Sequence, residues 1–130
     1  MSPAENRPAK QNEVVNDLPV AASAETALAG RAVAPGSLVA CQPGSIVSRT
    51  IVDQDNGTVT LFAFGDGQAL SEHTAPFDAL VLVLEGTMTI TISGAPRTVS
   101  AGEMIIMPAH APHALKAEGD AKMMLVMIRS

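Results

Sequence analysis

Hydrophobic and polar positions follow a regular pattern from Ser45 onward. Short β-rich runs alternate with clusters of turn residues, a spacing that is typical of an all-β sandwich or barrel. The runs that we expect to form strands are residues 46–52, 58–64, 79–84, 87–92, 97–99, 104–107 and 122–128. Between the first two runs, Asn56-Gly57 supplies residues that tolerate positive φ, so the sequence predicts a hairpin there.

The N-terminal third has a different composition. Residues 1–35 are rich in Ala, Pro, Asn and Glu and show no sustained period. This composition predicts a mobile tail, within which residues 23–33 would form at most a short helix capped by Ser23. We therefore expect one domain over residues 36–130, preceded by a flexible N-terminal segment.

Two of the runs are apolar on both faces. In residues 79–84 the alternate sets are Ala, Val, Val and Leu80, Leu82, Leu84, and residues 122–128 behave alike. A strand of a lone barrel should expose one polar face to water. Leaving the leucines exposed would forgo roughly 1.5–3 kcal/mol each. The outer surface should therefore be covered, by a second subunit or by the N-terminal segment, and we expect a homodimer.

Composition and charge exclude several classes of partner. The formal net charge of −5 and the lack of a basic cluster disfavour nucleic acid. No apolar run approaches the length of a membrane-spanning helix. The single Cys41 and the absence of an apolar leader region favour the cytoplasm. With three Phe and neither Trp nor Tyr, a cavity would be lined by aliphatic and Met side chains, which suits a small ligand.

Two segments carry recognisable motifs, GQALSEHTAPFDALVLVLEG at residues 67–86 and GEMIIMPAHAPHALKA at residues 102–117. They resemble the signatures of the cupin superfamily, G-x5-H-x-H-x(3,4)-E-x6-G and G-x5-P-x-G-x2-H-x3-N. The positions that match are Gly67, His73, Gly86, Gly102, Pro108 and His113. The resemblance implies an all-β fold, the double-stranded β-helix or cupin jelly-roll barrel, over roughly residues 40–130.

The resemblance also implies a metal site, and two of its ligands are missing. Ala75 stands at the position of the second family histidine and Ala79 at that of the glutamate. His110, at a family glycine position, is the best replacement. A site of His73, His110 and His113 would suit a divalent transition metal, Fe, Mn, Zn, Ni or Cu. The alternative is a metal-free pocket, in which the histidines bind a ligand by hydrogen bonds, act as acid and base, or are structural.

Arg49 is a further candidate for ligand binding. It lies in a β-run and could reach the barrel mouth to pair with a ligand carboxylate, or it could be an ordinary surface arginine. Two main functions stay open. One is a module that binds a small polar or anionic molecule in the mouth through His73, His110, His113 and Arg49. The other is a metal-dependent oxygenase, isomerase or lyase, and a stabilising subunit is a third possibility. Fold alone does not choose among them.

Overall fold

The structure, a computed structural model, describes residues 27–129. Within these residues, a 3₁₀ turn at Pro35–Leu38 precedes seven strands. The strands are β1 Ile46–Gln54, β2 Gly57–Phe64, β3 Ala69–His73, β4 Asp78–Ile92, β5 Ala95–Ser100, β6 Met104–Met107 and β7 His113–Ile128. All strand pairs are antiparallel. The all-β prediction is confirmed, and the described residues contain no helix long and apolar enough to cross a membrane.

The two longest strands, β4 and β7, run through both layers of the barrel. They pair with each other from Asp78 opposite Ile128 to Ile92 opposite His113, with irregular register around Glu85. The first half of β4 also pairs with β6 and its second half with β5. The second half of β7 pairs with β2 and its first half with β3. One sheet therefore has the order β1-β2-β7-β4-β6, here called the first sheet, and the second sheet has the order β3-β7-β4-β5.

The two strands turn from one sheet to the other at facing glycines. Gly86 has φ 78° and Gly119 has φ 81°, which is left-handed backbone that favours glycine. A Cβ on Gly86 would collide with the carbonyl oxygen of Asp120 and lie 3.0 Å from the Cα of Ala121. The close approach of the two backbones at this bend therefore requires glycine at residue 86.

The interior between the sheets is filled by aliphatic, Met and Phe side chains. Alternate residues of each strand point inward, as expected for half-buried strands. The largest fully buried members of the inner core are Phe64, Val81, Val83, Met88, Ile90 and Met123. Since Leu115 and Ala117 of β7 are buried in the same cluster, the inward face of β7 is the one that also carries His113.

A second, outer cluster lies on the other face of the first sheet. Leu61 and Ala63 of β2 are fully buried there beneath Val39, and Leu38 and Cys41 pack against them. The chain after the 3₁₀ turn thus covers part of the outer face. Lys122 ties this segment to the bend, because its Nζ donates to the Gly36 carbonyl at 2.8 Å and lies 3.4 Å from Glu85.

The outer faces of the two sheets differ in polarity. On the second sheet Thr89 Oγ1 donates to Glu118 Oε2 at 2.9 Å, and the threonines of β4 lie on the face opposite the buried Met88 and Ile90. On the first sheet Met104, Ile106 and Ile128 remain 59%, 54% and 57% exposed. Within residues 27–129, the chain itself covers only one part of the outer face of the first sheet.

Three expectations about elements need correction. Residues 79–84 and 87–92 belong to one bent strand, β4, rather than to two. The sequence reading missed β3 and the first half of β7. Of the helix expected over residues 23–33, residues 23–26 lie outside the described part, and the chain turns after Leu28. The expected tail over residues 1–35 also lies largely outside the described residues and stays a prediction.

Candidate functional site

The structure brings His73 and His113 together at one end of the barrel. His73 ends β3 and His113 begins β7, and the two are directly opposite in the register of this strand pair. Their Nε2 atoms lie 3.1 Å apart. The ring centroids are separated by 4.3 Å, with the rings 74° apart in an edge-on arrangement. The structure thus brings together two of the three histidines that the motifs indicate.

Backbone carbonyls fix the orientation of both rings. His73 Nδ1 donates to the Ser71 carbonyl at 2.8 Å, and His113 Nδ1 donates to the Ala111 carbonyl at 3.0 Å. Because a carbonyl oxygen only accepts, each Nδ1 carries the hydrogen, and each neutral ring presents a lone pair at Nε2. Two lone pairs that face each other repel. A hydrogen between the two Nε2 atoms would relieve this repulsion. It could be a proton shared by the two nitrogens or the hydrogen of a bound donor group.

The two rings differ in exposure. His113 is only 5% exposed, whereas His73 is open to solvent. Burial lowers the pKa of the His113 imidazole, the hydrogen bond to the Ala111 carbonyl opposes this shift, and the charge of His73 lowers the pKa further. His113 is therefore mainly a neutral acceptor at pH 7, while His73 forms the solvent-facing side of the pair.

Aliphatic side chains line the barrel below the pair. Ile92 of β4 is directly opposite His113, and the next inward-facing pair is Ile90 with Leu115. On the other side of β7, Leu70 lies opposite Leu115. Because Ile90 and Leu115 are 0% and 2% exposed, these side chains form a closed apolar floor beneath the two polar nitrogens.

His110 does not join the other two histidines. It lies in the loop between β6 and β7 with φ 70°, and its side chain is exposed. Its backbone N–H donates to the Ala75 carbonyl at 2.7 Å, and the neighbouring Ala109 N–H donates to Asp78 Oδ1 at 2.8 Å. These bonds anchor the loop through its backbone and leave the His110 ring outside. The expected trio is therefore a pair.

The donors present do not fit a resident divalent metal. Within residues 27–129, no three His, Cys, Asp or Glu side chains are grouped as a metal site would need. Ala79 is buried on the inner face opposite Met107 and Met127, whose side chains offer neither oxygen nor nitrogen. Protein sites for transition metals supply three or four ligands, and His73 with His113 supplies two.

Arg49 lies away from the mouth. Its register partner on β2 is Leu61, a member of the outer cluster, so Arg49 shares the outer face of the first sheet. It is 8% exposed. Both expectations for this residue are corrected, because Arg49 lies neither in the barrel mouth nor on an open surface. The residues of β1 that point into the barrel are those that alternate with Arg49.

Some groups that shape the site carry no sequence signature. The carbonyls of Ser71 and Ala111 orient the histidines, and backbone acceptors look alike at every residue. Asp78 is exposed, and its Oδ1 accepts the Ala109 N–H of the loop between β6 and β7. In the turn between β5 and β6, Glu103 Oε1 accepts from the Ser100 N–H at 2.9 Å.

Comparison with known proteins agrees with this architecture. The family profile described as "Cupin domain" matches residues 60–129. A conserved protein of unknown function from Streptococcus pyogenes superposes with a TM-score of 0.74 at 33% identity, over 78% of this chain and 89% of that one. A cupin superfamily protein from Desulfitobacterium hafniense gives a TM-score of 0.74 at 27% identity, over 78% and 93%.

A third structure shares more sequence over a smaller part of its own length. It is a cupin 2 conserved barrel domain protein from Leptotrichia buccalis, with 39% identity and a TM-score of 0.71 over 72% of this chain and 46% of that one. No curated protein matches the sequence. The similarity therefore extends over the barrel and carries no activity with it.

Proposed function

Since the chain belongs to the cupin family, we propose that it is a small single-domain cupin that binds a small polar or anionic molecule at the open end of its barrel. The binding groups are His73 and His113. The single observation that carries the proposal is the 3.1 Å approach of two Nε2 atoms whose Nδ1 atoms are both bound to carbonyls.

This geometry suits two kinds of small ligand. A neutral molecule with a hydroxyl or N–H group would donate its hydrogen to the converging nitrogens. A carboxylate would bind together with a proton held by the pair, because the resulting cationic pair attracts an anion. The aliphatic side chains of Ile92, Leu115 and Leu70 are packed beneath the pair, which favours a ligand of few atoms in either case.

The alternative of a metal-dependent oxygenase, isomerase or lyase needs at least one further donor beside His73 and His113. His110 is exposed on its loop, and Ala75 and Ala79 have no donor atoms. We therefore favour binding over catalysis. The lone Cys41 fits a reducing compartment, so the cytoplasm is the proposed location.

NMR of the histidine rings tests the proposal. Acetate and glycerol, as a carboxylate and a neutral donor, are titrated separately while the Hε1 resonances of the three histidines are followed. We expect one probe to shift His73 and His113 together in a saturable way and to leave His110 unchanged. His110 is the internal control, because it is exposed and outside the pair.

The two outcomes that contradict the proposal are distinct. Equal shifts at all three histidines would mean a nonspecific solvent or pH effect. No shift of the His73 and His113 resonances with either probe at millimolar concentration would mean that the pair does not bind small polar molecules. If acetate binds better than glycerol and its binding weakens as the pH rises, the ligand is a carboxylate. The reason is that the histidine pair must hold a proton to attract an anion, and it loses that proton at higher pH.

A further inference from the structure

A groove opens beside the β1–β2 turn, at the end of the first sheet where β7 also finishes. Its volume is about 360 Å³, at the lower end of the ~300–1,000 Å³ that is typical of small-molecule sites. Because it lies at the strand ends, residues of both faces of the sheet reach it. None of the residues that line it belongs to the histidine site, so the groove is a separate feature of the barrel.

A missing side chain forms the floor of the groove. Gly57 lies between Gln54 of β1 and Ile128 of β7 in the register of the three strands, and directly opposed residues share a face of the sheet. A Cβ on Gly57 would lie 3.1 Å from the carbonyl oxygen of Met127 and 4.0 Å from Cδ1 of Ile128. The space between the flanking side chains therefore depends on glycine at this position.

Three valines form the apolar side of the groove. Val59 of β2 is opposite Val52 in one strand pair and opposite Val126 in the other, so the three side chains lie in a row across β1, β2 and β7. Two spacings between strands make this row roughly 10 Å long. An extended chain advances about 1.2 Å per bond, so an aliphatic chain of about eight bonds would cover the row.

One charged residue lines the groove. Arg129 Nη1 donates to the carbonyls of Gln54 and Asp55 at 3.0 and 3.2 Å, and its guanidinium carbon lies 5.7 Å from the centroid of the Phe77 ring. These contacts hold the guanidinium beside the β1–β2 turn. The N–H donors on Nε and Nη2 take part in neither bond. Since the other lining residues are apolar or neutral, no carboxylate of the groove balances this positive charge.

We propose that the groove is a second binding site, which takes an aliphatic carboxylate of about six to eight carbons. The carboxylate accepts hydrogen bonds from the Arg129 guanidinium at the turn, and the aliphatic chain lies along the three valines. Charge-assisted hydrogen bonds are stronger than neutral ones, and each CH₂ removed from water adds to the affinity. A neutral chain would leave the guanidinium without an anion, and a small polar anion would leave the valines exposed to water.

Methyl NMR on the full-length protein tests this proposal. Acetate, butanoate, hexanoate and octanoate are titrated separately while the methyl resonances of Val52, Val59 and Val126 are followed. We expect saturable shifts with hexanoate and octanoate, and a Kd that decreases about two- to fourfold for each added CH₂. Hexanol, which has the chain without the charge, should bind about fivefold more weakly than hexanoate, or weaker still. These titrations use the wild type and do not depend on the folding of any variant.

Two variants separate recognition of the charge from recognition of the chain. Arg129→Gln should weaken hexanoate binding about fivefold or more and leave hexanol binding unchanged. Arg97→Gln is the matched control, because Arg97 is an exposed arginine of β5, and it should change neither affinity. Gly57→Ala should weaken hexanoate and hexanol alike, because its Cβ occupies the floor of the groove. The φ of Gly57 is not positive, so alanine can adopt this backbone.

Three results would overturn the proposal. If octanoate at millimolar concentration gives no saturable methyl shifts in the wild type, the groove is closed or is filled by another part of the chain or by a second copy. Equal affinities for hexanoate and hexanol would mean that Arg129 does not recognise the carboxylate. Octanoate shifts confined to the histidine Hε1 resonances would place the carboxylate at His73 and His113 instead.

Discussion

Replacing Gly86 by alanine should destabilise the barrel more than the same change at Gly119. Both residues have φ near 80°, so each substitution places a side chain in left-handed backbone at a cost of about 1–2 kcal/mol. Only at Gly86 does the new Cβ meet backbone atoms, those of Asp120 and Ala121. Overpacking of this kind adds about 1–3 kcal/mol. We expect losses of about 2–5 kcal/mol for Gly86→Ala and about 1–2 kcal/mol for Gly119→Ala.

Urea denaturation followed by circular dichroism measures both losses, at one fixed protein concentration because oligomers gain stability by mass action. Gly119→Ala is the matched control, since nothing lies within 4 Å of its added Cβ. Equal losses for the two variants would refute the reasoning, because they would mean that β4 and β7 can separate at the bend without cost.

Three further predictions concern the site and its loop. Because the pKa of the His113 imidazole is lowered in the folded chain, the unfolded chain binds more protons than the folded chain when the pH falls. The free energy of unfolding should therefore be highest above about pH 6.5 and should decrease at lower pH by up to about 1.4 kcal/mol per pH unit. Urea midpoints from pH 8 to 5 should show this fall, flattened by His113→Gln and not by His110→Gln. The double variant Ala75→His/Ala79→Glu restores the two missing family donors. Calorimetry should therefore detect saturable Zn²⁺ binding to this variant at micromolar concentration and none to the wild type. Equal Zn²⁺ binding by the variant and the wild type would mean that two imidazoles suffice. Asp78→Ala removes the acceptor of the Ala109 N–H. Hydrogen exchange at that amide should therefore become at least tenfold faster, while the histidine resonances stay in place. An unchanged exchange rate would show that other contacts hold the loop.

Most of the fold could be predicted from the sequence because its strands obey a period of two. The runs at 46–52, 58–64 and 104–107 lie within β1, β2 and β6 almost to the residue. The first half of β7 was missed because the hydrophobic contrast between its two faces is small. Its inward residues, His113, Leu115 and Ala117, include a polar and a small side chain. β3 was missed for the opposite reason, since most of its side chains are exposed.

The site was predictable only where it depends on motif spacing. The spacing of His73 and His113 within the two motifs implied their meeting, and the rings do meet. The place of His110 depends on the φ of one residue and on its backbone bond to Ala75, which side-chain types do not encode. The location of Arg49 could be predicted only with knowledge of the register between β1 and β2, because a shift of one residue along a strand exchanges the inner face for the outer one.

The chain order of the strands has a consequence for synthesis. β7 follows β2, β3 and β4 in the sequence and pairs with all three. A nascent chain that has emerged only as far as β6 therefore holds β2 and β4 each with its β7 edge unpaired, and β4 is apolar on both faces over residues 79–84. Such edges recruit other strands and promote aggregation. The barrel can close only after β7 has joined both sheets, so we expect this protein to depend on chaperones most strongly while β7 is still missing.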